Sequence, residues 1–141
     1  MPGATNLGGT LVLHLCGNLE HFIGARLGGT GYRRDRDAEF STRGLSRAAL
    51  LERIAAAEAT VREVLPSLSD ATMRADYPDV IGGMRLTTGD FLTHLAAHLG
   101  YHLGQLDYHR RFVTSRAVAI GAMAIPELAS ARIPSPQNSS A

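Results

Sequence analysis

The sequence predicts an all-α protein, an up-and-down helical bundle that forms a single domain. Three segments carry apolar residues at the helical spacing of three and four, and capping or breaking residues delimit each of them. A length of 141 residues suffices for one domain with a hydrophobic core but not for two. We therefore predict a bundle domain over residues 1–128 and a flexible, Pro- and Ser-rich tail over 129–141.

The first helix is predicted over residues 7–27, because Gly28 and Gly29 end the apolar pattern there. The next stretch, 30–40, alternates acidic and basic residues and contains few apolar ones. Such a stretch is typical of a solvated loop, so we expect a loop between the first two helices.

The second helix is predicted to begin after the N-cap residue Ser46 and to end at Pro66. An irregular connection follows over residues 67–89, with an extended turn or short hairpin expected over 80–88.

The third helix is predicted to begin after Thr87, an N-cap residue with an acid, Asp90, three positions later. Its apolar pattern continues to about Phe112. A further short helix is possible over residues 118–123, in the Ala- and Ile-rich stretch that precedes the tail.

Composition excludes several classes of function. The fourteen basic residues are all Arg, and the formal net charge is +1, which is too low for an extended nucleic-acid surface. The absence of Lys removes Schiff-base and P-loop lysine chemistry. One cysteine, Cys16, cannot form an internal disulfide, and no signal peptide or long apolar run is evident. We expect a cytoplasmic protein with a small-molecule substrate and neither nucleic acid nor membrane as a partner.

All six histidines lie on the first and third predicted helices, at positions His14, His21, His94, His98, His102 and His109. Residues four apart on a helix lie about 6 Å apart along its axis, so their imidazoles can reach one metal ion. This spacing leaves two pairs open, His94 with His98 and His98 with His102. Because His14 is flanked by apolar residues and a buried imidazole needs a partner, we predict that it joins one pair in a metal site.

Two segments resemble the DinB-like or YfiT-like helical bundles, a family of metal-dependent hydrolases and thiol S-transferases. One is the Leu-rich stretch 11–19 around His14, and the other is the His-x-x-x-His-x-Gly-Gln pattern over residues 98–105. The resemblance covers residues 7–112 and also includes the segments 34–40 and 125–128.

The resemblance implies that His14, His98 and His102 are the metal ligands, with His21 and His94 as neighbours. It also implies that Gln105 contacts a metal ligand without binding the metal itself. The cofactor would be a divalent Zn, Ni or Fe ion, and a low-molecular-weight thiol would be the cosubstrate. Family members begin with a further helix before the first one predicted here. Its absence would expose apolar faces, so we expect a homodimer, and the alternative is a non-catalytic module that binds metal or self-associates.

The remaining candidates favour structural roles. Cys16 is interpreted as a small buried hydrophobe. Glu20 and Asp107 are expected to be solvated charges on helix faces, and Gly100 and Gly104 are expected to allow close helix packing. No residue is assigned a catalytic role.

Overall fold

The computed structural model describes residues 7–128 and 130–132, which contain five α-helices and no β-strand. The prediction of an all-α fold is thereby confirmed. Residues 129 and 133–141, most of the predicted tail, lie outside the described part. The helices are α1 (Leu7–Leu19), α2 (Arg36–Ser41), α3 (Arg47–Val64), α4 (Asp70–Arg74) and α5 (Thr88–Thr114). None of the helices described is long and apolar enough to cross a membrane.

The first helix does not stop at the end of α1 but continues as a π-helical segment, Glu20–Ala25. The backbone N–H of Arg26 donates to the carbonyl oxygen of His21, five residues earlier, which is the π-helical pattern. The predicted helix over residues 7–27 is therefore a continuous helical run that contains one wider turn.

Helix α3 packs against this run and points in the same direction. A Cβ atom on Gly24 would lie 2.7 Å from Cγ2 of Thr60, and one on Gly28 would collide with Val64. Glycine is favoured at both positions because side chains of α3 already occupy the space that a Cβ atom would need. The predicted cap of α3 is confirmed, since the Ser46 hydroxyl accepts the backbone N–H three residues later.

Helix α5 runs antiparallel to α1. Gly8, near the start of α1, faces His109 near the end of α5, while Phe22 packs edge to face on Phe91 at 5.1 Å. The predicted cap is again confirmed, because the Thr87 hydroxyl accepts from the third backbone N–H that follows it.

The main core lies where the π-helical segment, the end of α3 and the start of α5 meet. Tyr77, from the connection between α4 and α5, is 1% exposed, and its ring packs on Phe91 at 4.4 Å. Its hydroxyl donates to the carbonyl oxygen of Phe22 at 2.8 Å, so the buried polar atom is satisfied. The cluster consists of Ile23, Val64, Tyr77, Phe91 and Leu95.

The predicted loop over residues 30–40 is wrong in its second half, which begins the short helix α2. Asp35 caps this helix by accepting the backbone N–H of Ala38 at 2.9 Å. The chain returns along α1 here, and Glu39 is buried against it at 6% exposure. The alternating charges misled the prediction because one of them is paired inside the protein rather than solvated.

The other connections differ less from expectation. The irregular segment after α3 contains the short helix α4 and a tight turn in which Ile81 pairs with Met84. Gly82 and Gly83 adopt the left-handed conformation that this turn requires. The short helix expected over 118–123 is wrong, since that stretch is irregular and Gly121 has a φ of 82°.

Candidate metal centre

Three imidazoles from two antiparallel helices converge at the middle of the bundle. His14 comes from α1, and His98 and His102 come from successive turns of α5. The Nε2 atom of His98 lies 3.4 Å from Nε2 of His14 and 3.1 Å from Nε2 of His102. One ring nitrogen from each residue lies within 4.8 Å of the other two. The structure thus brings together the three histidines that the resemblance selected.

The other histidines that were considered lie outside this cluster. His94 stacks on Phe91 at 6.0 Å and is exposed to solvent, so it occupies the neighbouring turn of α5. His21 belongs to the π-helical segment and packs on Phe22 at 4.8 Å. The pair His94 and His98, which spacing alone left open, is therefore not the pair that faces His14.

Hydrogen bonds behind the rings determine which nitrogens face one another. Nδ1 of His14 lies 3.2 Å from Oε2 of Glu39, and Nδ1 of His102 lies 2.7 Å from Oε1 of Gln105. Both oxygens are hydrogen-bond acceptors, which favours the tautomer with the proton on Nδ1 and a lone pair on Nε2 in each ring. Gln105 therefore lies behind His102, at the position that the resemblance implies for it.

The number of available protons supports a cation in the cluster. With Nε2 of His14 and His102 as acceptors, a single proton on Nε2 of His98 can satisfy one of the two short contacts but not both. Two nitrogens bound tetrahedrally to zinc at its usual bond length lie about 3.3 Å apart. The observed separations of 3.4 and 3.1 Å bracket this value, so the donor set fits a divalent ion.

Burial lowers the pKa of His14, and its hydrogen bond to Glu39 opposes this shift only in part. Burial also lowers the pKa of His98, and the neighbouring imidazoles of His102 and His14 lower it further. Both rings are consequently neutral at pH 7, which is the protonation state that a metal ligand requires.

The structure adds two residues that sequence reasoning did not single out, Arg34 and Glu39. Nε of Arg34 donates to Oε1 of Glu39 at 2.7 Å, and Nη2 donates to Oε2 at 2.8 Å. Charge alternation concealed this pair, because nothing in a run of acidic and basic residues shows which carboxylate turns inward. The segment 34–40 was predicted as part of a solvated loop and was included in the family resemblance, but no role was assigned to either residue.

Three other residues that were expected to have structural roles, Glu20, Asp107 and Cys16, lie in different environments. Glu20 is not a solvated charge: it is 8% exposed, its Oε2 has no hydrogen-bond partner among the described residues, and burial raises its pKa. Asp107 is not simply solvated either, because it pairs with Arg110 at 2.8 Å and Arg111 at 3.2 Å. Cys16 is buried as expected, and burial raises its pKa to about 11.

The expected close packing at Gly100 and Gly104 is wrong. A Cβ atom at either position would meet open space, so none of the described helices covers this face of α5. Instead, Gly104 lines an open cavity of about 640 Å³ together with Gln105 and the aromatic rings of Tyr101 and Tyr108. A second cavity of about 410 Å³ lies beyond Glu39, on the side of α3.

Comparison with known proteins gives one family. The sequence model of the DinB superfamily matches residues 9–106, a span that contains all three clustered histidines. Neither curated proteins nor solved structures yield a significant match to the chain. Because the family match covers well over half of the sequence, the chain belongs to the DinB superfamily.

Proposed function

We propose that this protein is a metal-dependent enzyme of the thiol S-transferase or hydrolase type, in which His14, His98 and His102 hold one divalent Zn, Ni or Fe ion. The convergence of their Nε2 atoms, at 3.4 and 3.1 Å, is the observation that carries the proposal. Three imidazoles leave an ion with an open position, as catalytic zinc sites do. Such an ion, when bound, is a Lewis acid that lowers the pKa of a thiol or of water.

The residues around the cluster favour an external thiol as the nucleophile. Glu39 is a poor general base, because both of its oxygens accept hydrogen bonds from Arg34. The chain's own thiol, Cys16, is also unsuited, since burial raises its pKa to about 11. A low-molecular-weight thiol is more acidic than water and depends less on a carboxylate base.

In the proposed transfer the thiol gives its proton to solvent water, its sulfur bonds to an electrophilic carbon, and the leaving group departs with the electron pair of the bond that breaks. His14 is buried, whereas His98 and His102 are only half-buried. The cluster is therefore accessible from the α5 side, which also carries the aromatic cavity beside Gln105.

Bound metal per chain tests the site directly. Protein without a histidine tag would be purified under metal-replete conditions, and its Zn, Ni and Fe content measured by elemental analysis. We expect about one ion per chain in the wild type and in His94→Ala, which removes a histidine of the same helix outside the cluster. His14→Ala and His98→Ala should retain little metal. A metal-free wild type, or equal loading of all four proteins, would overturn the proposal.

Turnover separates an enzyme from a metal-binding module. Zn-loaded protein would be mixed with a panel of low-molecular-weight thiols and a chlorodinitrobenzene electrophile, and thioether formation followed by absorbance. We expect turnover with at least one thiol, which His98→Ala abolishes and His94→Ala retains. Full metal loading without turnover on thiol or ester substrates would instead support the non-catalytic alternative.

We also propose that the open face of α5 binds a second copy of this chain. Tyr101, Tyr108 and Phe112 are 65%, 66% and 70% exposed along this face, which is unusual for a large apolar stripe on a monomer. Light scattering after gel filtration should give a dimer mass that Phe112→Asp reduces toward the monomer. Leu51→Asp, which places the same charge on an exposed position of α3, should leave the dimer intact. A monomeric wild type at all concentrations would exclude this role.

A further inference from the structure

Glu39 is the one carboxylate in contact with a clustered histidine among the residues that the structure describes. We infer that Glu39, fixed by Arg34, is a positioning residue that presents Nε2 of His14 to the metal site. The inference rests on the proposed metal site and extends it to a carboxylate outside the ligand set. The supporting observations are the burial of Glu39, its hydrogen bonds and the space that α1 leaves for it.

A buried carboxylate is costly unless it is paired, and Glu39 is paired on both oxygens. Arg34 forms two nearly parallel hydrogen bonds to it, at 2.7 and 2.8 Å, a geometry that fixes the plane of the carboxylate. The guanidinium lies 5.6 Å from the ring centre of Phe22, which limits its own movement. The ion pair therefore has no net charge and is held in one geometry. The side chain of Glu39 is only 6% exposed.

The contact from Glu39 to His14 selects one tautomer of the imidazole. A carboxylate can only accept, so a hydrogen bond between Oε2 and Nδ1 of His14, 3.2 Å apart, requires the proton on Nδ1. Nη2 of Arg34 lies 3.3 Å from the same nitrogen and has a second N–H besides the one donated to Oε2, so it could donate to Nδ1 only in the other tautomer. If Nδ1 were unprotonated, its lone pair would face the carboxylate lone pairs at 3.2 Å, which is repulsive.

The backbone of α1 leaves room for this arrangement. Gly17, one turn after His14, lies beneath the Glu39 carboxylate, and a Cβ atom there would be 2.8 Å from Cδ of Glu39. On its other side the His14 ring packs against Phe40 at 5.3 Å. The imidazole is thus held in one orientation from above and below, with Nε2 directed toward α5.

The experiment measures Zn²⁺ affinity by competition with a chromophoric chelator. Removing a carboxylate behind a histidine ligand weakens metal binding by about 10- to 100-fold. We expect this loss for Glu39→Gln, which keeps the size of the side chain but removes its charge. Glu63→Gln, the same change at an exposed position of α3, should bind Zn²⁺ as tightly as the wild type.

A second readout does not depend on metal, and its measurement on the wild type does not depend on the folding of a variant. Long-range proton–nitrogen NMR spectra of metal-free wild type should show His14 as the Nδ1–H tautomer, and Glu39→Gln should shift it toward the Nε2–H form. An Nε2–H tautomer in the wild type, or Zn²⁺ affinity of Glu39→Gln within twofold of wild type, would overturn this inference alone. A wild type that binds no Zn²⁺ would overturn the proposed function together with it.

Discussion

Replacing Gly17 with Ala should damage the cluster although it adds only one methyl group to a helix. An alanine in a helix interior is normally more stable than glycine by about 1 kcal/mol. Here the new Cβ would lie 2.8 Å from Cδ of Glu39, whereas ordinary contacts begin at 3.4 Å. The carboxylate must therefore move by at least half an ångström, and its oxygen nearer to Gly17 by more.

That displacement breaks the weakest contact of the carboxylate. Its hydrogen bond to Nδ1 of His14 is already long at 3.2 Å, and a further half ångström takes it out of hydrogen-bonding range. A hydrogen bond to a charged group contributes about 1.5–3 kcal/mol. After the gain in helix propensity is subtracted, Gly17→Ala should lower the free energy of unfolding by about 0.5–2 kcal/mol. Zn²⁺ affinity should fall by about tenfold.

Gly100 provides a matched control, because it also lies in a helix interior but a Cβ atom there would meet open space. Gly100→Ala should raise the free energy of unfolding by about 1 kcal/mol and leave Zn²⁺ affinity unchanged. Urea denaturation followed by circular dichroism, with chelator competition for Zn²⁺, measures both quantities. The reasoning would be refuted if Gly17→Ala were stabilised as much as Gly100→Ala and bound Zn²⁺ as the wild type does.

Three further predictions concern the core, a buried acid and the metal. Phe91→Ala, which empties a site that is 2% exposed, should lower the free energy of unfolding in urea by about 3–5 kcal/mol, and a loss below about 1 kcal/mol would contradict the proposed core. Burial raises the folded-state pKa of Glu20, so the stability that its protonated form contributes is lost as pH rises through that value. Glu20→Gln should therefore match the wild type in its free energy of unfolding at pH 4 and exceed it at pH 7, by about 1 kcal/mol; a difference independent of pH would contradict this. Zn²⁺ at 100 times its dissociation constant should stabilise the wild type by about 2.7 kcal/mol, reversibly with EDTA, and should leave the melting temperature of His98→Ala unchanged; an equal shift in both would contradict the site.

The sequence was sufficient for the three long helices because their signals are local. Ser46 and Thr87 cap α3 and α5 as predicted, and each cap depends only on residues within one turn. The histidine cluster was also predictable in part, since spacing on one helix and an apolar environment depend on the chain alone. The choice between the two histidine pairs of α5 came from the family resemblance, because helix rotation is set by packing.

The wrong predictions of solvent exposure have a different cause. Glu39 and Glu20 were expected in solvent, yet both are buried by contacts with residues distant in sequence. A charged residue enters a protein only where a partner or a function compensates for its desolvation. For Glu39 the compensating residue is Arg34, five positions away, a spacing that matches neither helix nor strand periodicity. Sequence patterns report periodicity, so they do not detect a pair that forms across the start of a short helix.

The π-helical turn at Glu20–Ala25 fixes the number of residues that the chain needs between α1 and the segments that follow. A π turn holds one residue more than an α turn, so this segment is equivalent to a single-residue insertion in an otherwise regular helix. Deleting one residue there would restore α-helical hydrogen bonds but would rotate everything that follows by about 100° relative to α1. Gly24 and Gly28 would then no longer face α3, and the irregular segment that carries Arg34 would leave the helix in a different direction. A relative that lacks the wide turn should therefore align with this chain only with a one-residue gap, and it would need another way to bring a partner to His14.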